Sequence, residues 1–157
     1  MNNQMFDIII FEGVDKIGKT TLKKHLEKIT NYKYIMIDRL YMSAIVYEEL
    51  KKRKNDIDYY LRSFKKLCDN FNVLLIYLRP LNIDNVKNNI KKKGDEIVDL
   101  NEVEKLFNIY EKYANDFYDN NLIGLSGMSI LSIAFKGKKE IAKLANHIKE
   151  RYYLWVC

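Results

Sequence analysis

The chain has 157 residues, 48% of them hydrophobic and 31% charged, with a formal net charge of +6. That length can build one hydrophobic core without a staple, and its two cysteines, Cys68 and Cys157, have neither a metal-ligand spacing nor the density of a disulfide framework. The first apolar run is too short to cross a membrane and no basic stretch precedes it, so the composition predicts a cytoplasmic protein with no membrane partner and excludes a secreted, disulfide-built one.

The positive excess would suit a polyanion, either nucleic acid or a phosphorylated small molecule. Lysine, asparagine and isoleucine make up more than a third of the chain. Their codons are the richest in A and T, so a skewed genome accounts for much of the lysine. A small phosphorylated partner is therefore preferred and nucleic acid is the less favoured one.

In chain order, Phe6 to Phe11 is a continuous apolar run, short enough for a fully buried strand. A glycine-containing segment follows, and then Leu22, Leu26 and Ile29 recur at helical spacing. Tyr32 to Ile37 alternates and predicts a second strand, after which Tyr41, Ser43 and Tyr47 begin a helix. Ile57, Leu61, Phe64, Cys68 and Phe71 share one helical face. Val73 to Leu78 is a further buried strand, stopping at Arg79-Pro80.

A short helix is predicted from Ile83 to Lys93 and a longer one carrying Val103, Phe107, Tyr110, Ala114 and Phe117 on its apolar side. Met128 to Phe135 reads as the last strand, and Ile141, Leu144, Ala145 and Ile148 mark the final helix. Leu122 to Gly127 and the tail from Tyr152 fit no pattern. With one proline and no repeat or linker composition, residues 1–157 read as one domain. Strands alternating with helices imply an α/β fold.

Gly13-Val14-Asp15-Lys16-Ile17-Gly18-Lys19-Thr20 fits G-x-x-x-x-G-K-[ST], the Walker A pattern. The string alone is weak, but here it joins a buried strand to an amphipathic helix. In that setting successive backbone N–H groups and the positive helix end converge on a phosphate. The fold class is then a three-layer, P-loop NTPase-type parallel sheet flanked by helices. Residues 13–21, Gly13 to Thr21, are the nucleotide-binding set; Lys19 can reach the outer phosphates of ATP and Thr20 can offer its hydroxyl to Mg²⁺. Asp38-Arg39 lies just past the second predicted strand, at the carboxyl end where open α/β sheets place ligands. A carboxylate there can hold Mg²⁺, and a guanidinium can grip a phosphate through two parallel hydrogen bonds.

Phe11-Glu12-Gly13-Val14-Asp15-Lys16-Ile17-Gly18-Lys19-Thr20-Thr21 resembles the opening of thymidylate kinases, F-E-G-x-D-x-x-G-K-[ST]-T, and Asp38-Arg39 resembles that family's D-R motif. The resemblance implies ATP-dependent phosphoryl transfer to a (deoxy)nucleoside monophosphate, in a short phage-type form, with ATP and Mg²⁺ and often a homodimer. It assigns Asp15 to the acceptor's sugar and Lys16, Lys19, Arg39 and Asp38 to the transferring phosphates and metal. Tyr41, Ser43 and Tyr47 would then line the acceptor side, where a ring can stack on a base. Lys91-Lys92-Lys93, in a segment covering about 91–100, resembles the basic lid of nucleotide kinases, whose cations stabilise a phosphoryl group in flight.

Two departures stand out. The lid carries lysines where nucleotide kinases usually have arginines, and Asp38 follows Thr30 almost at once, without the helices that build a thymidine pocket. The alternatives are therefore a kinase of a deoxynucleoside, a nucleic-acid end or a modified base, and a non-catalytic nucleotide-binding module. His25 and His147 have no ligand or nucleophile spacing and carry no assigned role.

Overall fold

The computed structural model describes residues 6–53, 56–93, 98–118, 128–135, 140–152 and 154. The unassigned segment from Leu122 to Gly127, positions 94–97 of the lid and most of the tail lie outside them, as do the side chains of Phe117 and Lys93. The elements run β1 (Ile8–Glu12), α1 (Lys19–Ile29), β2 (Ile35–Asp38), α2 (Tyr41–Lys51), α3 (Ile57–Asn70), β3 (Val73–Pro80), α4 (Ile83–Lys93), a 3₁₀ turn (Leu100–Glu102), α5 (Val103–Tyr118), β4 (Met128–Phe135) and α6 (Ile141–Arg151).

The four strands form one parallel sheet in the order β2-β1-β3-β4. β1 is buried along its whole length and β3 from Val73 to Leu78, as central strands covered on both faces must be. The chain leaves β1 toward β2 and then returns across β1 to β3. Right-handed crossovers therefore put α1 on one face and α2 with α3 on the other. Helix packing agrees: α1 packs with α6, while α2 packs with α3 and α5, and α5 with α4. The hydrophobic core runs from Phe6 to Leu154 through both sets.

Four boundaries differ from the sequence reading. β1 starts at Ile8 rather than Phe6; Phe6 is buried all the same, its ring edge-on to Tyr152 at 5.7 Å. β2 is confined to Ile35–Asp38 because Asn31 and Tyr32 take left-handed conformations (φ 51 and 56) that close α1, with the Tyr32 N–H donating to the Glu27 carbonyl at 2.8 Å. β3 runs on through Arg79 and Pro80. The register with β1 ends at Glu12 opposite Tyr77, so beyond that point β3 pairs with β4 alone, and a residue without an N–H is tolerated on a one-sided stretch. Phe71, read as part of the α3 apolar face, ends the helix in extended conformation and is 45% exposed.

Candidate active site

The loop after β1 is shaped by two glycines. Gly13 has φ +132, and a Cβ there would lie 2.4 Å from the Leu78 carbonyl oxygen of the neighbouring strand; Gly18 has φ 112 and opens α1. Val14 and Ile17 are buried and pin the loop to the core, whereas Lys16, between them at φ 58, is exposed. No side chain caps α1 and no acidic residue lies in its first turn, which leaves its leading N–H groups directed at an incoming anion. Lys19, 4% exposed, folds into the loop and donates to the carbonyls of Gly13 (2.7 Å) and Val14 (2.6 Å). On the outer side, Asn89 of α4 donates to the Lys16 carbonyl at 3.3 Å.

The β2–α2 corner meets this loop. The Thr20 hydroxyl donates to Asp38 Oδ2 at 2.5 Å, while Asp38 Oδ1 is buried with no hydrogen-bond partner. A carboxylate oxygen left so is costly, and it and the Thr20 hydroxyl are hard oxygen donors of the kind a divalent cation such as Mg²⁺ takes. Arg39, at φ 69, forms an ion pair with Asp15 Oδ1, and the Tyr47 hydroxyl donates to Asp15 Oδ2. The guanidinium carbon lies 5.7 Å from the Tyr47 ring centre, so one cation is held by a carboxylate and an aromatic face together. The result is a cleft of about 250 Å³ lined by Asp15, Lys16, Gly18, Lys19, Thr20, Thr21, Asp38 and Arg39.

The structure thus brings eight of the sequence-singled residues onto one cleft. Gly13, Val14 and Ile17 form its supporting backbone, and Tyr47 stands behind Asp15. Tyr41 turns its ring to Phe64 at 5.7 Å. The Ser43 hydroxyl is buried, donating to Glu12 and in contact with the Tyr110 hydroxyl at 2.8 Å. Lys91 and Lys92 are exposed at the end of α4 and do not line the cleft. Among the described residues no cluster of three His, Cys, Asp or Glu side chains could hold a metal, and no helix is long and apolar enough to cross a membrane.

One buried polar residue beside the cleft carried no role in the sequence reading. Glu12 ends β1 with no exposed surface, and its carboxylate accepts from the Leu40 N–H at 2.9 Å and from Ser43. Burial raises its pKa above the ordinary carboxylate value, and the Ser43 and Leu40 hydrogen bonds and the Lys19 charge pull it partly back. The signal was available: a carboxylate closing a run of apolar strand residues must be given donors. Burial also raises the Tyr110 phenol well above its usual range, with the nearby Glu12 charge acting in the same direction.

No family model and no curated protein matches the chain. Its fold is similar to that of the YorR protein from Bacillus subtilis, solved in complex with phosphorylated GDP, with a TM-score of 0.62 and 18% identity, covering 93% of this chain and 97% of that one. At that identity the likeness is one of fold, an α/β P-loop-like sheet of parallel strands flanked by helices.

Proposed function

We propose that the chain is a three-layer P-loop kinase, one domain over residues 1–157, that moves the γ-phosphoryl group of ATP to a (deoxy)nucleoside monophosphate in the manner of thymidylate kinases. The observation that carries the reading is the meeting of two segments: the Lys19–Thr20 start of α1 and the Asp38–Arg39 corner share one cleft. A module that only bound Mg·ATP would use Lys19, Thr20 and Asp38 but would have no need of the Arg39 cation beside them. The fold similarity to a protein solved with phosphorylated GDP adds support and places guanine nucleotides among the acceptors and donors to be tried.

In this reading the loop N–H groups and the uncapped end of α1 hold the donor phosphates, and Lys19 exchanges the Gly13 and Val14 carbonyls for phosphate oxygens. Thr20 and Asp38 would hold Mg²⁺, which when bound neutralises charge on the phosphate oxygens. Arg39 grips the acceptor phosphate, with Lys16 facing the same cleft from the loop. Asp15, held between Arg39 and Tyr47, takes the acceptor's sugar in this reading. Catalysis is then mainly positioning and charge neutralisation.

The test is ADP release from Mg·ATP with dTMP, dUMP, GMP and dGMP, other monophosphates, deoxynucleosides and short oligonucleotides, with Lys19→Ala as control. One strongly preferred monophosphate, inactive with Lys19→Ala, is the expected outcome. Turnover with a nucleoside or an oligonucleotide would move the acceptor class. ATP binding without any acceptor-dependent turnover would replace the kinase by a binding module.

A further inference from the structure

Glu12 immediately precedes Gly13, and the donors that satisfy its carboxylate all come from the β2–α2 corner: the Leu40 N–H at 2.9 Å, the Ser43 hydroxyl and the Ser43 N–H. The adjacent strand residue, Phe11, takes the Arg39 N–H at 2.9 Å. Arg39, Leu40 and Ser43 therefore all hang on the last two residues of β1. Arg39 is left-handed (φ 69), a conformation that a bulky residue holds only where its surroundings over-determine it. Behind the carboxylate, Tyr110 of α5 contacts the Ser43 hydroxyl at 2.8 Å and closes the network against solvent.

We propose that Glu12 is the positioning residue for Arg39: through Leu40 and Ser43 its carboxylate holds the β2–α2 corner in the conformation that aims the guanidinium at Asp15 and the cleft. Glu12 thereby ties the acceptor arginine to the end of the strand that leads into the phosphate loop, while the loop itself is held by its own glycines and buried Val14 and Ile17. The proposal rests on the reading that Arg39 grips the acceptor, and its test separates the two.

In the full chain, KM for Mg·ATP and for the preferred monophosphate is compared among wild type, Glu12→Ala, Glu12→Gln, Arg39→Ala and the Glu12→Ala/Arg39→Ala double variant, together with amide exchange at Leu40. Glu12→Ala leaves a buried donor unpaired and is expected to raise the acceptor KM about tenfold or more, with KM for ATP within about threefold. Glu12→Gln keeps an oxygen for the Leu40 N–H, and its amide can donate to the Ser43 hydroxyl oxygen while that hydroxyl donates to Tyr110 instead, so it restores most of the loss. If Glu12 acts through Arg39, the double variant is no worse than Arg39→Ala alone. Exchange at Leu40 accelerates in Glu12→Ala and stays slow in Glu12→Gln.

Equal loss of ATP and acceptor use, additive losses in the double variant, or unchanged exchange at Leu40 would each overturn the proposal. Should wild type turn over no monophosphate, the kinase reading fails on its own, and Leu40 exchange alone decides whether Glu12 anchors the corner. If Glu12→Ala does not fold, Ser43→Ala, which removes the hydroxyl donor, carries the same comparison.

Discussion

A methyl group on Gly13 would have to fit 2.4 Å from the Leu78 carbonyl at a backbone angle that side chains rarely adopt. Gly13→Ala is therefore expected to lose about 2–4 kcal/mol of stability, backbone strain and overpacking together, read as a lower urea midpoint, and to weaken ATP binding with it. Glu12 makes a prediction of a different kind. Its folded-state pKa is raised, chiefly by burial, so the folded chain holds a proton that the unfolded chain has already released. Stability then falls as pH rises from about 4.5 through the raised value and levels off above it. Glu12→Gln lacks that loss, so its urea midpoint should gain on wild type as pH goes up through that window, and a constant difference would argue against a buried, titrating Glu12. These residues were unequally legible. The loop could be read because its pattern of Gly, Lys and Thr encodes backbone geometry. The Glu12–Ser43–Tyr110 contact could not, because it joins positions far apart in the chain that only the packing of α2 and α5 over β1 brings together.

At the scale of elements, hydrophobic period located β3, α4, α5, β4 and α6 closely, because each carries a long, regular apolar set. It failed at β2, where Tyr32 and Ile35 are 72% and 60% exposed and the paired stretch is only four residues. Alternation there reflected a helix-closing turn followed by an edge strand. For helices, spacing gave the buried stripe but not what each member touches, so Tyr41 and Ser43 looked cleft-facing while Tyr41 packs on Phe64 and Ser43 on Glu12. That Tyr41–Phe64 contact joins α2 to α3, and Phe64 is 2% exposed. Phe64→Ala is expected to cost about 3–5 kcal/mol, visible as a lower urea midpoint at unchanged slope. A loss below about 1 kcal/mol would mean that α3 is not docked through this ring.

At the scale of the whole molecule, strand order was not legible, because apolar runs announce strands without naming their neighbours. The order β2-β1-β3-β4 matters for function: the direction of winding reverses at β1, and ligands of open α/β sheets sit outside the carboxyl ends at such a reversal. Here both the phosphate loop and the Asp38–Arg39 corner leave the sheet at that end, from strands paired Phe11 to Asp38. A ligand that spans them links elements of both helix sets and should stabilise the fold as a unit. At a hundredfold excess over its Kd, Mg·ATP would add about 2.7 kcal/mol, a rise in Tm of roughly 5–10 °C for a chain this size. The variants divide that shift by role. Lys19→Ala should lose it and Arg39→Ala should keep it. A chelator should reduce it in wild type, and Asp38→Asn should make it insensitive to the chelator if the buried Oδ1 belongs to a metal site. Should Lys19→Ala retain the full shift, nucleotide would be binding away from the loop, and the Gly13–Thr21 cleft would not be the nucleotide site, whatever the fold.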